Sequence, residues 1–345
     1  MLIPALFVAH SVRTMSAPSG TPFEVVIVAE AKEVPDVHRV WMAEHGILLH
    51  EIDLSGLHGL AKIQQRLSVA TLTKLLLAEI FADRYDRILY LDADLTIHDD
   101  ASAIFALDTG EFPLAACPSG LPWGFHNEAD RTEAQAHFAA LGMTPPYRFF
   151  NSGVLYINVV RWNRNDLSDR TLSFIGRNAD ICFLPDEHGL NGVLDGAFAR
   201  VSPIWNMRPH KDMRSVTHDI ARPVIVHHAG EDKPWRRFGY RKRLFPDRTA
   251  YRMYDAFLRD TPWPRWLDEQ WSARDLRANI AWEVRRVTRA LRGRPSAEPS
   301  PRQHAEYLTA LRRYCAEESL ADVEQGIVIR DGGPLRLRHS VAVAA

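Results

Sequence analysis

The chain has 345 residues, which is enough for one large or two modest globular domains. Of these residues 46% are hydrophobic and 25% are charged, and the net charge is −1. The balanced charge gives no reason to expect a nucleic acid partner, and no apolar run approaches the length of a membrane span. Three scattered cysteines argue against a disulfide framework or a zinc site, and they favour a reducing, cytoplasmic compartment.

The first part of the chain alternates predicted helices and strands. Helices are expected over residues 2–14, 35–45 and 67–82, and strands over 24–30, 47–54 and 87–91. The strands are short apolar or alternating runs, whereas the helices cluster their apolar residues on one face. This alternation predicts an α/β domain with a mostly parallel sheet.

The pattern continues to about residue 245, where the composition changes. We predict helices over 99–107, 167–178 and 186–194, strands over 113–117, 154–160 and 223–228, and a polar helix between proline turns within 118–148. Beyond 245, tryptophans and arginines become frequent. The chain therefore divides into a first domain over 1–245 and a basic, Trp-rich helical extension over 246–345, with a Pro/Ser-rich linker near 293–301.

Two aspartates follow the predicted strand at 87–91. Asp92 and Asp94 are two residues apart on an extended segment, so their carboxylates point to the same side. Where a parallel strand leaves its sheet, that side faces the ligand crevice. Hard oxygen ligands of this kind suit Mg²⁺ or Mn²⁺. The alternative interpretation is an acidic, solvated turn.

Residues 273–294 form a predicted basic amphipathic helix. Its apolar residues recur at helical spacing, and seven arginines against two acidic residues give it a net charge of +5. One interpretation is peripheral contact with an anionic membrane surface, at the inner face of the membrane. The other is a helix that packs on the domain and exposes a solvated basic face.

Four segments together resemble glycosyltransferase family 8, the retaining group related to glycogenin and to lipopolysaccharide galactosyl- and glucosyltransferases. They are YLDADL at 90–95, FFNSGVLYIN at 149–158, PDEHGLN at 185–191 and HHAGEDKPW at 227–235. The resemblance implies a GT-A-like, Rossmann-type nucleotide-sugar-binding domain. It also implies Mn²⁺-dependent transfer of galactose or glucose from a UDP-sugar to a saccharide or lipid-linked glycan, with retention.

The resemblance also implies which residues bind the cation and the diphosphate. Asp92, Asp94 and His227 would hold Mn²⁺ or Mg²⁺, although a histidine at a strand end is more often structural. Glycine at Gly230 would allow the backbone to approach a phosphate closely. The side chain of Lys233 would supply a mobile positive charge for the same group.

Four further residues match positions near the transferred sugar. Lys74 stands where the family usually has a donor-contacting arginine; it keeps the charge but not the bidentate fork, and an exposed helix lysine is the alternative. Asn151 matches a sugar-contacting asparagine, or caps the strand turn. Asp186 matches the aspartate that binds sugar hydroxyls. Glu187 replaces the usual glutamine below the anomeric carbon, where we predict electrostatic stabilisation or a covalent adduct; the alternative is an acid favoured by the helix dipole.

One departure from the family concerns the first strand. Family members begin with a strand and an Asp-containing loop that holds the base and ribose, whereas residues 2–14 resemble the helix that follows that strand. The first strand is therefore expected to be missing. The consequence would be either a misplaced start or an incomplete base site.

Two other classes of function remain open from the sequence. Asp92, Asp94 and Thr96 fit the Asp-x-Asp-x-Thr pattern of haloacid-dehalogenase-like phosphatases, with Asp92 as the nucleophile. That pattern normally lies near the N-terminus, and it leaves 227–235 without a role. The third class is a non-catalytic nucleotide-sugar binder that lacks the first strand.

Overall fold

The computed structural model describes residues 2–16, 20, 22–55, 69–118, 128–145, 147–208, 223–229, 233–235, 249–270 and 339–344, with isolated positions between 277 and 291. The elements up to residue 100 are α1 (Leu2–Ser16), β1 (Glu24–Glu30), α2 (Asp36–Glu44), β2 (Ile47–Ile52), α3 (Val69–Thr73), α4 (Leu77–Ile80), β3 (Arg87–Leu91) and β4 (Leu95–Ile97).

The later elements are β5 (Leu114–Pro118), α5 (Glu128–Ala140), β6 (Phe150–Asn158), α6 (Val159–Arg164), α7 (Leu167–Arg177), α8 (Pro185–Leu194), β7 (Ala199–Arg200), β8 (Ile225–His227), α9 (Thr249–Arg259), α10 (Trp266–Glu269) and β9 (His339–Ala344). Short 3₁₀ helices cover Ala31–Glu33, Ala101–Ala106 and Pro203–Asn206.

A seven-stranded sheet in the order β2-β1-β9-β3-β6-β5-β7 forms the centre of the molecule. Its neighbours are parallel, except that β6 runs antiparallel to β3 and β5. A separate two-stranded ribbon pairs β4 with β8 in antiparallel fashion. The predicted α/β class with a mostly parallel sheet is confirmed.

Helices cover both faces of this sheet. Because alternate strand residues point to opposite faces, Leu89 packs into the cluster that contains α1 and α9, whereas Ile88 and Tyr90 pack into the cluster with α3, α4 and α6 to α8. Burial on both faces explains why residues 88–91 of β3 form a continuous apolar run rather than an alternating one. The carboxyl end of β3 therefore lies at a fixed position between two packed layers.

Several predicted elements differ from the observed ones. The helix predicted over 67–82 is interrupted after Thr73, where Leu75 and Leu76 donate to Leu72 and Thr73 in tight i to i−3 hydrogen bonds. The helix predicted over 99–107 is a 3₁₀ helix. Strand β6 begins at Phe150 rather than after residue 153, so Asn151 lies within the sheet and not at a turn.

Strand β9 occupies the space between β1 and β3. Its residues pair in parallel with both neighbours, Ala342 lying opposite Val26 on one side and Tyr90 on the other. Resemblance alone predicted a missing strand at the start of the chain. In the structure, β1 and β3 are both paired on this side by a strand from the far end of the sequence, which removes two exposed sheet edges.

Part of the predicted extension packs on the first domain. The Tyr254 ring of α9 stacks on Phe7 of α1 with ring centroids 3.8 Å apart, and Leu258 is buried in the same cluster. The boundary near 245 stays a prediction, and the linker near 293–301 lies outside the described residues. Within the described part of the chain, none of the helices combines the length and apolar character needed to cross a membrane.

Candidate active site

Three predicted metal ligands meet at the carboxyl end of β3. Asp92 and Asp94 lie in the turn between β3 and β4, and His227 ends β8. The pairing of β4 with β8 places Leu95 opposite His227. As a result, ligand atoms of Asp92, Asp94 and His227 all lie within 4.8 Å of one another. Two carboxylates and an imidazole at this spacing are a suitable donor set for a divalent cation.

A hydrogen-bond chain sets the orientation of His227. Its Nδ1 lies 3.0 Å from Oδ1 of Asn206, and Asn206 Nδ2 donates to Oδ1 of Asn151 at 2.9 Å. Because an amide oxygen can only accept, Nδ1 carries the proton. Nε2, on the other side of the ring, faces the aspartates, 3.3 Å from Asp94 Oδ1 and 3.9 Å from Asp92 Oδ2. A ligand histidine is normally fixed by such a second partner.

Glycine at position 153 leaves room for these ligands. A Cβ atom at Gly153 would lie 2.2 Å from His227 Cε1 and 2.8 Å from Asp92 Oδ2. Neither distance is compatible with non-bonded contact. In addition, the Gly153 carbonyl accepts a 2.9 Å hydrogen bond from the Asp92 backbone N–H. Any larger residue would displace two members of the candidate metal site.

Lys74 connects the cation ligands with a second pair of acids. Its side chain is 1% exposed, and its Nζ lies 2.7 Å from Asp186 Oδ2 and 3.2 Å from Asp92 Oδ1. It also donates to the Ser152 carbonyl at 3.2 Å. Burial opposes the charge on Lys74, but Asp186 and Asp92 raise its pKa well above the ordinary value. Lys74 is therefore a buried ammonium, not the exposed helix lysine of the alternative interpretation.

Asp186 and Glu187 occupy the first turn of α8 and are both buried. Burial by itself would raise the pKa of Asp186, but the Lys74 ammonium and the Ser152 hydroxyl, which donates at 2.7 Å, lower it. Burial raises the pKa of Glu187. Glu187 Oε2 nevertheless accepts hydrogen bonds from Asn151 Nδ2 at 2.5 Å and from the Ser152 backbone N–H at 3.3 Å. The two adjacent acids thus have opposite pKa shifts.

The two residues predicted to bind the phosphates are Lys233 and Gly230. The Lys233 ammonium pairs with Asp94 and donates to the His228 carbonyl at 3.2 Å. Burial would raise the pKa of Asp94, but contacts with His227 and Lys233 hold it well below its ordinary value. Gly230 lies outside the described residues.

Thr96 is a poor phosphate contact for the phosphatase interpretation. It is fully buried, and its hydroxyl lies 2.9 Å from His98 Nε2 and 3.1 Å from His228 Nε2. Both hydrogen-bond partners of this hydroxyl are therefore side chains of the protein. The Asp-x-Asp-x-Thr pattern therefore does not bring its three side chains to one phosphate.

Sequence reasoning missed several residues that hold the site together. Asn191 bonds the backbone N–H and carbonyl of Phe150, each at 2.8 Å, and so fixes α8 on β6. Tyr90 donates to Asp92 from within β3. Asn206 had no detectable signal, because it belongs to none of the four resembling segments. Asn191 and Gly153 do lie in them, and their position there was the available signal.

Comparison with known proteins gives one family. The model described as "Glycosyl transferase family 8" matches residues 29–239, more than half of the chain. The chain is 24% identical over 189 residues to the lipopolysaccharide 1,2-glucosyltransferase of Escherichia coli strain K12, covering 52% of this chain and 50% of that protein. It is 25% identical over 228 residues to the lipopolysaccharide 1,3-galactosyltransferase of Salmonella typhimurium, covering 63% of this chain and 62% of that protein.

A solved structure agrees with the fold. The galactosyltransferase LgtC in complex with donor and acceptor sugar analogs superposes with a TM-score of 0.59 at 20% identity, covering 73% of this chain and 92% of that one. At this identity the likeness concerns the fold alone. The chain thus spans half of the length of the Escherichia coli relative and 62% of the length of the Salmonella typhimurium relative.

Removing the Lys74 charge should be strongly destabilising. Lys74→Met leaves Asp92 and Asp186 without their shared cation, so the free energy of unfolding should fall by about 3–5 kcal/mol. Urea denaturation of the whole chain measures the change. The matched control is Arg161→Met, which breaks an ion pair with Glu111, whose side chain is 86% exposed, and should cost at most about 1 kcal/mol. Equal losses for the two variants would contradict a special role for Lys74.

Proposed function

The chain belongs to glycosyltransferase family 8, and on that premise we propose that it is a retaining hexosyltransferase. It moves galactose or glucose from a UDP-sugar to a saccharide or lipid-linked glycan. The observation that carries the proposal is the single Lys74 ammonium that contacts both Asp92 and Asp186. A cation-binding group and a buried acid pair are thereby adjacent, as a diphosphate and its attached hexose are adjacent in the donor.

Asp92, Asp94 and His227 are the residues that would hold the cation. When bound, a divalent cation spreads the negative charge that develops on the departing diphosphate. Imidazole among oxygen ligands favours Mn²⁺ slightly over Mg²⁺. Lys233, beside Asp94, supplies a further positive charge to the phosphates, and Gly230, three residues before Lys233 in the sequence, is proposed to let the backbone approach them. Mn²⁺ dependence is thus part of the proposal.

The hexose is proposed to lie between β6 and the first turn of α8. Lys74 and Ser152 hold Asp186 as a carboxylate, which suits an acceptor for sugar hydroxyl protons. Asn151 donates a hydrogen bond to Glu187. We therefore propose that Asn151 positions Glu187 in addition to contacting the sugar. These contacts are made before any ligand arrives, and such preorganisation limits the reorganisation that accompanies the reaction.

Glu187 is proposed to stabilise the reacting carbon. Transfer with retention passes through an oxocarbenium-like transition state, in which positive charge develops at the anomeric carbon. The carboxylate that accepts from Asn151 and Ser152 would stabilise that charge electrostatically. A covalent adduct with Glu187 is the alternative within the same proposal. Burial raises the pKa of Glu187 overall, and the two hydrogen bonds to Oε2 act against burial by favouring the ionised form that either role requires.

A membrane surface is proposed as the place where the acceptor is met, on the cytoplasmic side. Among the described positions of the segment 273–294, Ile280, Val284, Val287 and Leu291 have side chains between 48% and 83% exposed. Thr288 donates to the Val284 carbonyl at 2.7 Å, a helical i to i−4 contact. Exposed apolar side chains in a segment whose sequence has a net charge of +5 match an anionic lipid surface.

The test of the proposed activity is a donor screen. Purified chain with Mn²⁺ should hydrolyse UDP-galactose or UDP-glucose slowly in the absence of an acceptor, measured as UDP release. Asp92→Asn and Asp94→Asn should each lower that rate by at least about 100-fold, because the leaving diphosphate loses its cation. Asp99→Asn, a change at an exposed neighbour, should keep the rate. An unchanged hydrolysis rate in both of these variants would contradict the proposed cation site.

Glu187→Gln tests the charge at the reacting carbon. The amide keeps the size of the side chain but removes its negative charge, so donor turnover should fall by roughly 10–100-fold while UDP affinity, measured by calorimetry, stays within about twofold. The exposed Glu111→Gln serves as the control. Full turnover in Glu187→Gln would show that the carboxylate has no special part in the chemistry.

The proposed membrane contact is tested by placing charges on the apolar helix face. Val284→Glu with Leu291→Glu should weaken cosedimentation with vesicles of phosphatidylglycerol and phosphatidylcholine by at least about tenfold, because two apolar side chains that would enter the lipid surface are replaced by charged ones. Val37→Glu with Val40→Glu is matched, since these α2 residues are also exposed, by 44% and 57%. Equal vesicle binding of both double variants would refute the contact.

A further inference from the structure

An aromatic cluster reaches the surface beside the proposed hexose position. Phe183 and Leu184 directly precede α8, and their side chains are 58% and 47% exposed. Exposed side chains of this size are informative when they border a candidate site. Glu187 is only four residues beyond Phe183, so the two Cα atoms are at most about 14 Å apart. This pair is therefore at the rim of the proposed active site.

The Phe183 ring is held in place by two histidines. Its centroid lies 4.4 Å from the His188 ring in a T-shaped arrangement and 4.8 Å from the His137 ring of α5. His137 Nε2 and His188 Nδ1 are 3.3 Å apart. Behind them, Phe149 contacts the His188 ring at 5.9 Å. The ring is thus supported by α5, α8 and the residue before β6, so its position does not depend on a single loop.

This aromatic cluster is uncharged near neutral pH. Burial, and then the neighbouring His137, lower the pKa of His188 to about 4. Burial also lowers the pKa of His137. Neither imidazole is therefore protonated at pH 7. An uncharged aromatic face suits the C–H face of a pyranose ring, and it offers nothing to the charge of a phosphate or a carboxylate.

We propose that Phe183, supported by His137 and His188, is the platform on which the pyranose ring of the acceptor packs. The inference rests on the proposed function. An acceptor hydroxyl must reach the anomeric carbon beside Glu187, and the residue next to Glu187, His188, already contacts the Phe183 ring. A sugar ring on Phe183 is therefore adjacent to the donor sugar, and Phe183 determines which acceptors are used.

The experiment uses the whole chain with Mn²⁺ and four probes, the methyl and octyl β-D-galactopyranosides and β-D-glucopyranosides. Phe183→Ala should raise the KM of the preferred glycoside by about tenfold or more, and it should lower the ratio of transfer to donor hydrolysis. Phe183→Trp keeps an aromatic face and should restore the KM. Phe112→Ala is the matched control, because Phe112 is also partly exposed, by 39%, but lies near the end of β6 that is opposite to Asn151. This variant should keep the wild-type values.

Several outcomes would overturn the platform. An unchanged acceptor KM in Phe183→Ala does so, and so does an equal loss of transfer and donor hydrolysis. A loss confined to the octyl glycosides would mean that the ring binds the alkyl chain instead. If the wild type shows no donor turnover, the proposed function fails, and calorimetric binding of the same glycosides decides the inference separately. Binding that Phe183→Ala abolishes supports the platform, and no saturable binding to the wild type refutes it.

Discussion

The buried Lys74 ammonium is the interaction on which the site depends. It neutralises Asp92 at the end of β3 and Asp186 at the start of α8, and it also contacts Ser152 in β6. The carboxylates of Asp92, which is partly buried, and of Asp186, which is buried, would repel each other without a cation between them. The break between α3 and α4 contains Lys74, so the regular helix is interrupted at the residue that supplies the positive charge. Ligand site, sheet and helix are thereby fixed to one another.

The central sheet gives β3 its position. Because β9 pairs with both β1 and β3, neither of these strands has an open edge at this place, and the strand that ends in Asp92 is buried on both faces. Parallel sheets are stable when helices cover both faces, and α1 with α9 supplies one of these layers. A strand from the far end of the chain thus completes the sheet that supports the candidate cation ligands.

In the proposed reaction, consecutive residues of helix α8 would serve both the donor and the acceptor. Asp186 and Glu187 face Lys74 and Asn151, whereas His188 faces His137 and Phe183. Successive helix residues project about 100° apart, so one short turn can present carboxylates to a donor and an aromatic support to an acceptor. The bonds of Asn191 to Phe150 fix that turn against β6. Donor chemistry and acceptor choice would then share one rigid element.

The sequence by itself determined the α/β class, the strand that ends in Asp92 and Asp94, and the resemblance that joined them to His227, Asp186 and Glu187. These features are local: periodicity within a window and short segments in a fixed order. Only the tertiary structure decided that Lys74 is buried between two acids, that Asn206 orients His227, and that His339–Ala344 lies between β1 and β3. Each of these joins residues far apart in the chain, and such contacts depend on how the elements pack, which no local pattern encodes.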